Sequence, residues 1–250
     1  MLLIIFILGS IFGSFLNAVV YRIHEKKSLW ERSECPNCHK QIKWYDNVPI
    51  LSFLILKGKC RNCKQKISWQ YPLVELVMGI LFVIPTFLVY HANFFVLIIL
   101  LSFQWLIIFD LAFIFLYDLK YQEILELSIW PLAILLFLMN ASGALVFTLI
   151  GIAIGGGFFL LQYLISKGKW IGGGDIRLGI LMGIILGWKL TILALFVAYL
   201  LGGAVGSYLL ITKKKEKNSE IAFGTFLVIG TLVSMWWGDR IVNWYLGFLS

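Results

Sequence analysis

Four stretches of the chain, residues 1–21, 76–109, 127–166 and 221–238, run almost without charge. Each matches or exceeds the roughly 20 apolar residues that cross a bilayer core. A soluble chain of 250 residues needs a polar exterior, and 14% charged residues with a mean hydropathy of +0.90 cannot supply one. The apolar residues run continuously and do not alternate in short segments, which excludes a β-barrel. The reading is an all-α polytopic membrane protein with about eight spans: 2–21, 73–90, 94–117, 125–139, 144–166, 176–188, 190–211 and 221–247. The first span lacks a basic n-region and a small-residue cleavage site, so it reads as retained and not as a signal peptide.

The net charge of +8 is explained by where the charges sit. Eleven of the 21 Lys/Arg lie between Arg22 and Lys66, and four more lie in the Lys213–Lys217 cluster. Cytoplasmic loops retain Lys and Arg, so both segments read as internal, and no nucleic-acid partner is implied. Successive crossings then place 118–124, 167–175 and 212–220 inside, and 91–93, 140–143, 189 and the C-terminus outside. Only Lys189 and Arg240 fall toward the outer side under that count. The resulting divisions are a first transmembrane helix (1–23), a cytoplasmic domain (24–71) and a transmembrane domain (72–250).

Residues 24–71 are too few for a conventional hydrophobic core, and domains of this size usually need a staple. All four cysteines of the chain lie there, as Cys35-Pro36-Asn37-Cys38 and Cys60-Arg61-Asn62-Cys63. Two CxxC pairs at this separation suit one zinc held by four thiolates. Disulfides or a redox CxxC are the rivals, and a disulfide requires an oxidising compartment that the charge bias argues against. Lys40, Lys43, Lys57, Lys59, Arg61 and Lys64 are expected to stabilise the thiolates, with His39 a bystander.

Among 13 acids, Glu75, Asp110, Asp118, Glu123, Glu126 and Asp175 sit in or beside apolar sequence, where an ionisable group points to function. Asp118 ends span three and Asp175 opens span six, so the crossings bring both to one face. Two carboxyls held close do not readily ionise together, and such a pair can supply one acid and one base. A lone acid at a membrane surface is ordinarily a solvated helix end. Gly172-Gly173-Gly174 before Asp175 argue otherwise, because bare backbone admits an extended substrate; Gly172 and Gly174 are read as support for the site. Gly179, Gly183 and Gly187 continue from Asp175 in steps of four, a stripe that packs helices closely in lipid. Gly151 with Gly155, and Gly202 with Gly206, repeat the pattern. There is no HExxH, no intramembrane His to activate Ser207, and no Walker A or dinucleotide-binding glycine pattern.

The motifs resemble those of type IV prepilin peptidases. Phe12–Arg22 is similar to the family's opening, and Trp44–Ser52, Gly58–Arg61 and Tyr71–Leu76 continue the likeness. Gly172–Leu178 resembles its GxGD-[IV]-K-L motif, and Ala222–Leu227 its terminal FGPFL element. Asp118, Glu126 and Pro131 keep the spacing D-x7-D-x4-P, which selects Asp118 over Asp110. The resemblance implies a GxGD-type aspartic endopeptidase of the bacterial inner membrane, with Asp118 and Asp175 catalytic and its active site facing the cytoplasm. Its partner would be the helix of a prepilin or pseudopilin, whose leader it cuts after a glycine. Many members also N-methylate the new N-terminal residue with S-adenosylmethionine, and the cysteine domain is expected to contribute to that second site. Two positions depart from the pattern. Leu125-Glu126 replaces Pro-Asp, which lets span four begin earlier as helix, and Arg177 replaces Lys. The rival readings are a transporter or channel whose acids form an ion pathway, and a membrane scaffold with a structural zinc module.

Overall fold

The computed structural model describes residues 1–89, 93–140, 145–212 and 222–249. His91, the Lys213–Lys217 cluster and most of the loops expected at 91–93, 140–143 and 212–220 lie outside the described residues. Among the described residues every regular element is helical, apart from two isolated β-bridges in the cysteine segment. The chain divides into two compact units, Met1–Phe109 and Asp110–Ser250.

In the first unit, α1 (Leu2–His24) packs on α3 (Gln70–Leu88). Small residues set the approach: a Cβ on Gly9 or Gly13 would press into the Met78 or Val74 carbonyl oxygen. Between these helices lies the cysteine segment, with one 3-10 turn (Trp44–Asn47) and the short α2 (Leu51–Ile55). Buried polar groups join this segment to the helices. Arg22 donates to the Leu29 and Glu31 carbonyls at 2.8 and 2.6 Å, and Glu75 accepts the Ile50 N–H at 2.7 Å. Intramembrane Glu75 therefore serves to fasten a loop. The first part of α4 (Phe94–Tyr121) stacks Trp105 on Phe82.

The second unit holds the end of α4, then α5 (Glu126–Asn140), α6 (Leu145–Ser166), α7 (Gly173–Ile211) and α8 (Phe223–Leu249). A straight α7 of 39 residues would be about 58 Å long, nearly twice a bilayer core. It is in fact a hairpin. Gly187 has φ 66° and ψ 176°, a conformation that only glycine adopts readily. A Cβ on Gly155 of α6 would overlap the Gly179 oxygen and also lie 3.3 Å from Thr191 Cγ2. In one continuous helix those two residues would be about 18 Å apart along the axis. The two expected spans, 176–188 and 190–211, are thus present, but the reversal falls at Gly187 and not at residue 189. Gly179 and Gly183 do pack on Gly155 and Gly151, as the stripe predicted. Gly187 continues the stripe, since a Cβ on Gly151 would come within 2.9 Å of its carbonyl carbon, and it also makes the turn.

Among the described residues five helices are long and apolar enough to cross a membrane: α1, α3, α4, α6 and α7. Their outward faces stay apolar, as lipid requires, with Phe95, Leu164 and Phe196 more than half exposed. Two expected boundaries move. Span three runs on to Tyr121, since nothing breaks the helix before Gln122 at φ 55°. Asp118 therefore sits on the last helical turn and not in a loop. Span four does not begin earlier without its proline: α5 starts at Glu126, where Ser128 closes the turn onto the Leu125 carbonyl at 3.2 Å.

Candidate active site and metal centre

Asp118 and Asp175 are brought to the same end of the second unit and buried there, at 4% and 9% exposure. They lie within electrostatic reach of one another although 57 positions separate them in sequence. Asp175 stands in the first turn of α7, where unpaired N–H groups favour a negative side chain. Asp118 is held from α8: its Oδ2 accepts the Thr225 backbone N–H at 2.9 Å. Gly224 makes that approach possible, because a Cβ there would lie 2.7 Å from the same oxygen. Ile124, from the loop after α4, wedges against both Gly174 and Gly224, so three chain segments close around the pair.

The glycines before Asp175 divide by role. Gly174 is needed for packing, since its Cβ would press on Ile124 at 2.8 Å. A Cβ on Gly173 would meet nothing, and one on Gly172 only the Gly174 nitrogen at 4.0 Å, so this backbone stands open beside the acid. Asp110 is not part of the pair: it lies about 12 Å back along α4, with Oδ2 buried and without a hydrogen-bond partner. The two departures from the motif turn out to be partners. Arg177 Nη2 meets Glu126 Oε1 at 2.7 Å, tying the start of α5 to the first turns of α7. Nothing in the sequence alone gave a role to Gly224, Thr225 or Ile124. The Ala222–Leu227 motif carried the signal for the first two, but only the fold shows which acid it touches.

The four cysteines converge, with all Sγ atoms within 4.8 Å of one another. None is in a disulfide, and Cys35 Sγ and Cys63 Sγ stand 3.8 Å apart. Zn–S bonds of 2.3 Å in a tetrahedron give S···S edges of about 3.8 Å, so the donor set fits a metal ion of that kind. The two knuckles repeat at a spacing of 25. His39 and Lys64 both take positive φ, at 52° and 59°. Cys35 and Cys60 donate their N–H to the Lys40 and Gln65 carbonyls. Bridges pair Glu34 with Gln41 and Lys59 with Lys66. Asn37 donates to Cys63 Sγ and Asn62 to Cys38 Sγ, each at 3.6 Å, so each knuckle supports a thiolate of the other. The Gln65 backbone N–H and then the Asn37 amide draw the Cys63 thiol down to about 6, while burial pushes Cys35 up to about 11. The basic residues are partly engaged elsewhere: Arg61 makes a bidentate pair with Asp46, Lys43 lies over Tyr45, and Lys40 bonds Asn62. His39 is largely exposed, with Glu34 at 3.9 Å, and is not among the converging donors.

Comparison with known proteins finds two family matches along the chain. Residues 7–89 match the bacterial peptidase A24 N-terminal domain, and residues 105–207 match the type IV leader peptidase family. A prepilin leader peptidase/N-methyltransferase of Bacillus subtilis (strain 168) is 31% identical over 254 residues, covering 98% of both chains. Proteins of the same name from Pseudomonas putida and Legionella pneumophila are 30% and 29% identical, covering 94% and 99% of this chain and 90% and 95% of theirs. No solved structure matches. Nothing in these likenesses favours a transporter or a scaffold. At 31% identity to a relative along nearly the whole of both chains, and with the family model matched over residues 105–207, this protein belongs to the type IV leader peptidase family.

Proposed function

We propose that the protein cleaves the leader peptide of prepilins or pseudopilins with Asp118 and Asp175 as its catalytic pair. The observation that carries this reading is the convergence of two buried carboxyls at one end of the helical bundle, beside open backbone. An oxygen accepting a backbone N–H at a helix N-terminus is suited to hold negative charge, so Asp118 takes the role of base. It removes a proton from water, which attacks the scissile carbonyl carbon. Asp175 gives its proton to the carbonyl oxygen, and the tetrahedral intermediate collapses as Asp118 passes the proton taken from water to the leaving amine and Asp175 regains its own from the intermediate's hydroxyl. No covalent enzyme intermediate is required. Gly172 and Gly173 leave room for the extended substrate.

The excess of basic residues in 24–71 supports a cytoplasmic position for that segment, and the span count carries the dyad to the same side. The metal is read as zinc on Cys35, Cys38, Cys60 and Cys63, where it would fold the segment and take no part in hydrolysis. N-methylation of the new N-terminus with S-adenosylmethionine is supported by the relatives' names, and no residue is assigned to that cofactor. Leader cleavage by purified protein tests the central reading. Asp118→Asn and Asp175→Asn should each abolish cleavage in folded, metal-loaded protein, and the double variant should lose little more. Asp110→Asn and Glu126→Gln should retain substantial activity. A dead Asp110→Asn beside an active Asp118→Asn would assign the acids wrongly.

A further inference from the structure

A polar side chain facing out of an apolar helix is costly against lipid, and it usually marks a water-filled or substrate-lined surface. α6 carries one amide, Gln162, which is half-buried while its hydrogen bond to the neighbouring segment lies exposed. It pairs with Tyr199 on the returning segment of α7. Gln162 Nε2 lies 2.9 Å from the phenol oxygen, and that oxygen lies 3.0 Å from Gln162 Oε1. Tyr199 is 39% exposed.

The pair stands beside the dyad. Asp175 and Tyr199 lie twelve residues before and twelve after the reversal at Gly187, so the hairpin sets them level. Tyr199 is within electrostatic range of Asp175, and its ring meets Phe223 edge-on with centroids 4.9 Å apart. Phe223 directly precedes Gly224, which contacts Asp118. On the other side, Gly155 and Gly151 lie against Gly179 and Gly183, so α6 runs antiparallel to the first segment of α7. That register sets Phe159 level with Asp175 and Gln162 nearly one turn beyond it, toward the end where Gly172 and Gly173 leave the backbone bare.

We propose that Gln162 and Tyr199 form a hydrogen-bonding site for the backbone of the substrate, binding peptide groups that flank the cleaved bond. A side chain amide offers donor and acceptor together, as a peptide group does, and the phenol can act as either. In the free enzyme the two satisfy each other; when substrate enters they exchange that contact for peptide N–H and C=O groups. A clamp with a purely structural role would have its hydrogen bonds sealed between α6 and α7, and the two that join this pair are exposed. The inference rests on the reading of Asp118 and Asp175 as a peptidase pair.

The test uses the full chain in detergent with a leader-bearing prepilin peptide, and a set of peptides each with one backbone amide near the cleavage site replaced by an ester. Tyr199→Phe and Gln162→Leu should each lower kcat/KM about fivefold, the scale of one neutral hydrogen bond, chiefly through KM. The double variant should lose little more than either single one. One ester peptide should be cut less well by the natural enzyme yet no worse by Tyr199→Phe than the amide peptide is. Unchanged kcat/KM for both variants overturns the proposal. So does a loss that multiplies with every ester, because the pair would then touch no peptide group. If the natural protein fails to cleave, the peptidase reading falls first; if it cleaves and Asp175→Asn does not, the variants judge this site alone.

Discussion

Gly224→Ala tests most directly how the fold holds its acid. The added Cβ would stand 2.7 Å from Asp118 Oδ2, 3.1 Å from its Cγ and 2.9 Å from Ile124 Cδ1. Asp118 is 4% exposed, so the carboxylate has no solvent to retreat into. Restoring an ordinary contact needs a shift of about 0.7 Å, which stretches the Thr225 N–H bond to roughly 3.6 Å, beyond hydrogen-bonding distance. A hydrogen bond to a charged group contributes about 1.5–3 kcal/mol. If that interaction is made in the transition state, its loss lowers kcat by about 10- to 150-fold. Leader cleavage by purified Gly224→Ala measures this, with Gly203→Ala as control because a Cβ there meets nothing within 4 Å. Retained metal and an unshifted melting temperature separate a local effect from misfolding. Gly224→Ala cleaving at the natural rate would refute the reasoning, since Asp118 would then need neither the glycine nor the bond from α8.

The remaining expectations concern metal, turn and orientation. Purified protein should carry about one zinc per chain, and replacing any of Cys35, Cys38, Cys60 or Cys63 by Ser should release it; stoichiometric disulfides without metal would count against the site. Gly187→Ala should destabilise the protein by about 1–3 kcal/mol in detergent unfolding, because its backbone lies where other residues are strained; an unchanged midpoint would mean the reversal is not held there. In intact cells a cysteine placed at Asn93 should react with an impermeant reagent and one at Lys26 should not; the opposite pattern would invert the orientation.

Much of the architecture follows from local chemistry, which is why the linear chain reveals it. Apolar runs longer than a bilayer core must be helices, because lipid offers the backbone no partner. The double CxxC knuckle is legible since each half is built by its own few residues, and the metal geometry asks only that the halves meet. The positions of Asp118 and Asp175 at one end followed from counting crossings. Tertiary structure decided what depends on contacts between distant segments. Gly187 read as another step of a packing stripe, and only its φ and the double contact at Gly155 reveal a reversal. Glu126 and Arg177 read as separate departures until α5 and α7 brought them to 2.7 Å. Thr225 lies 107 residues from Asp118, and no periodicity in the chain says that its N–H points at that carboxylate. Sequence determines which residues can enter a membrane and which must leave it, because that choice is made segment by segment against the solvent. Which helix N-terminus meets which acid is a property of the packed bundle, where the missing side chains of Gly174 and Gly224 decide how closely three segments can approach.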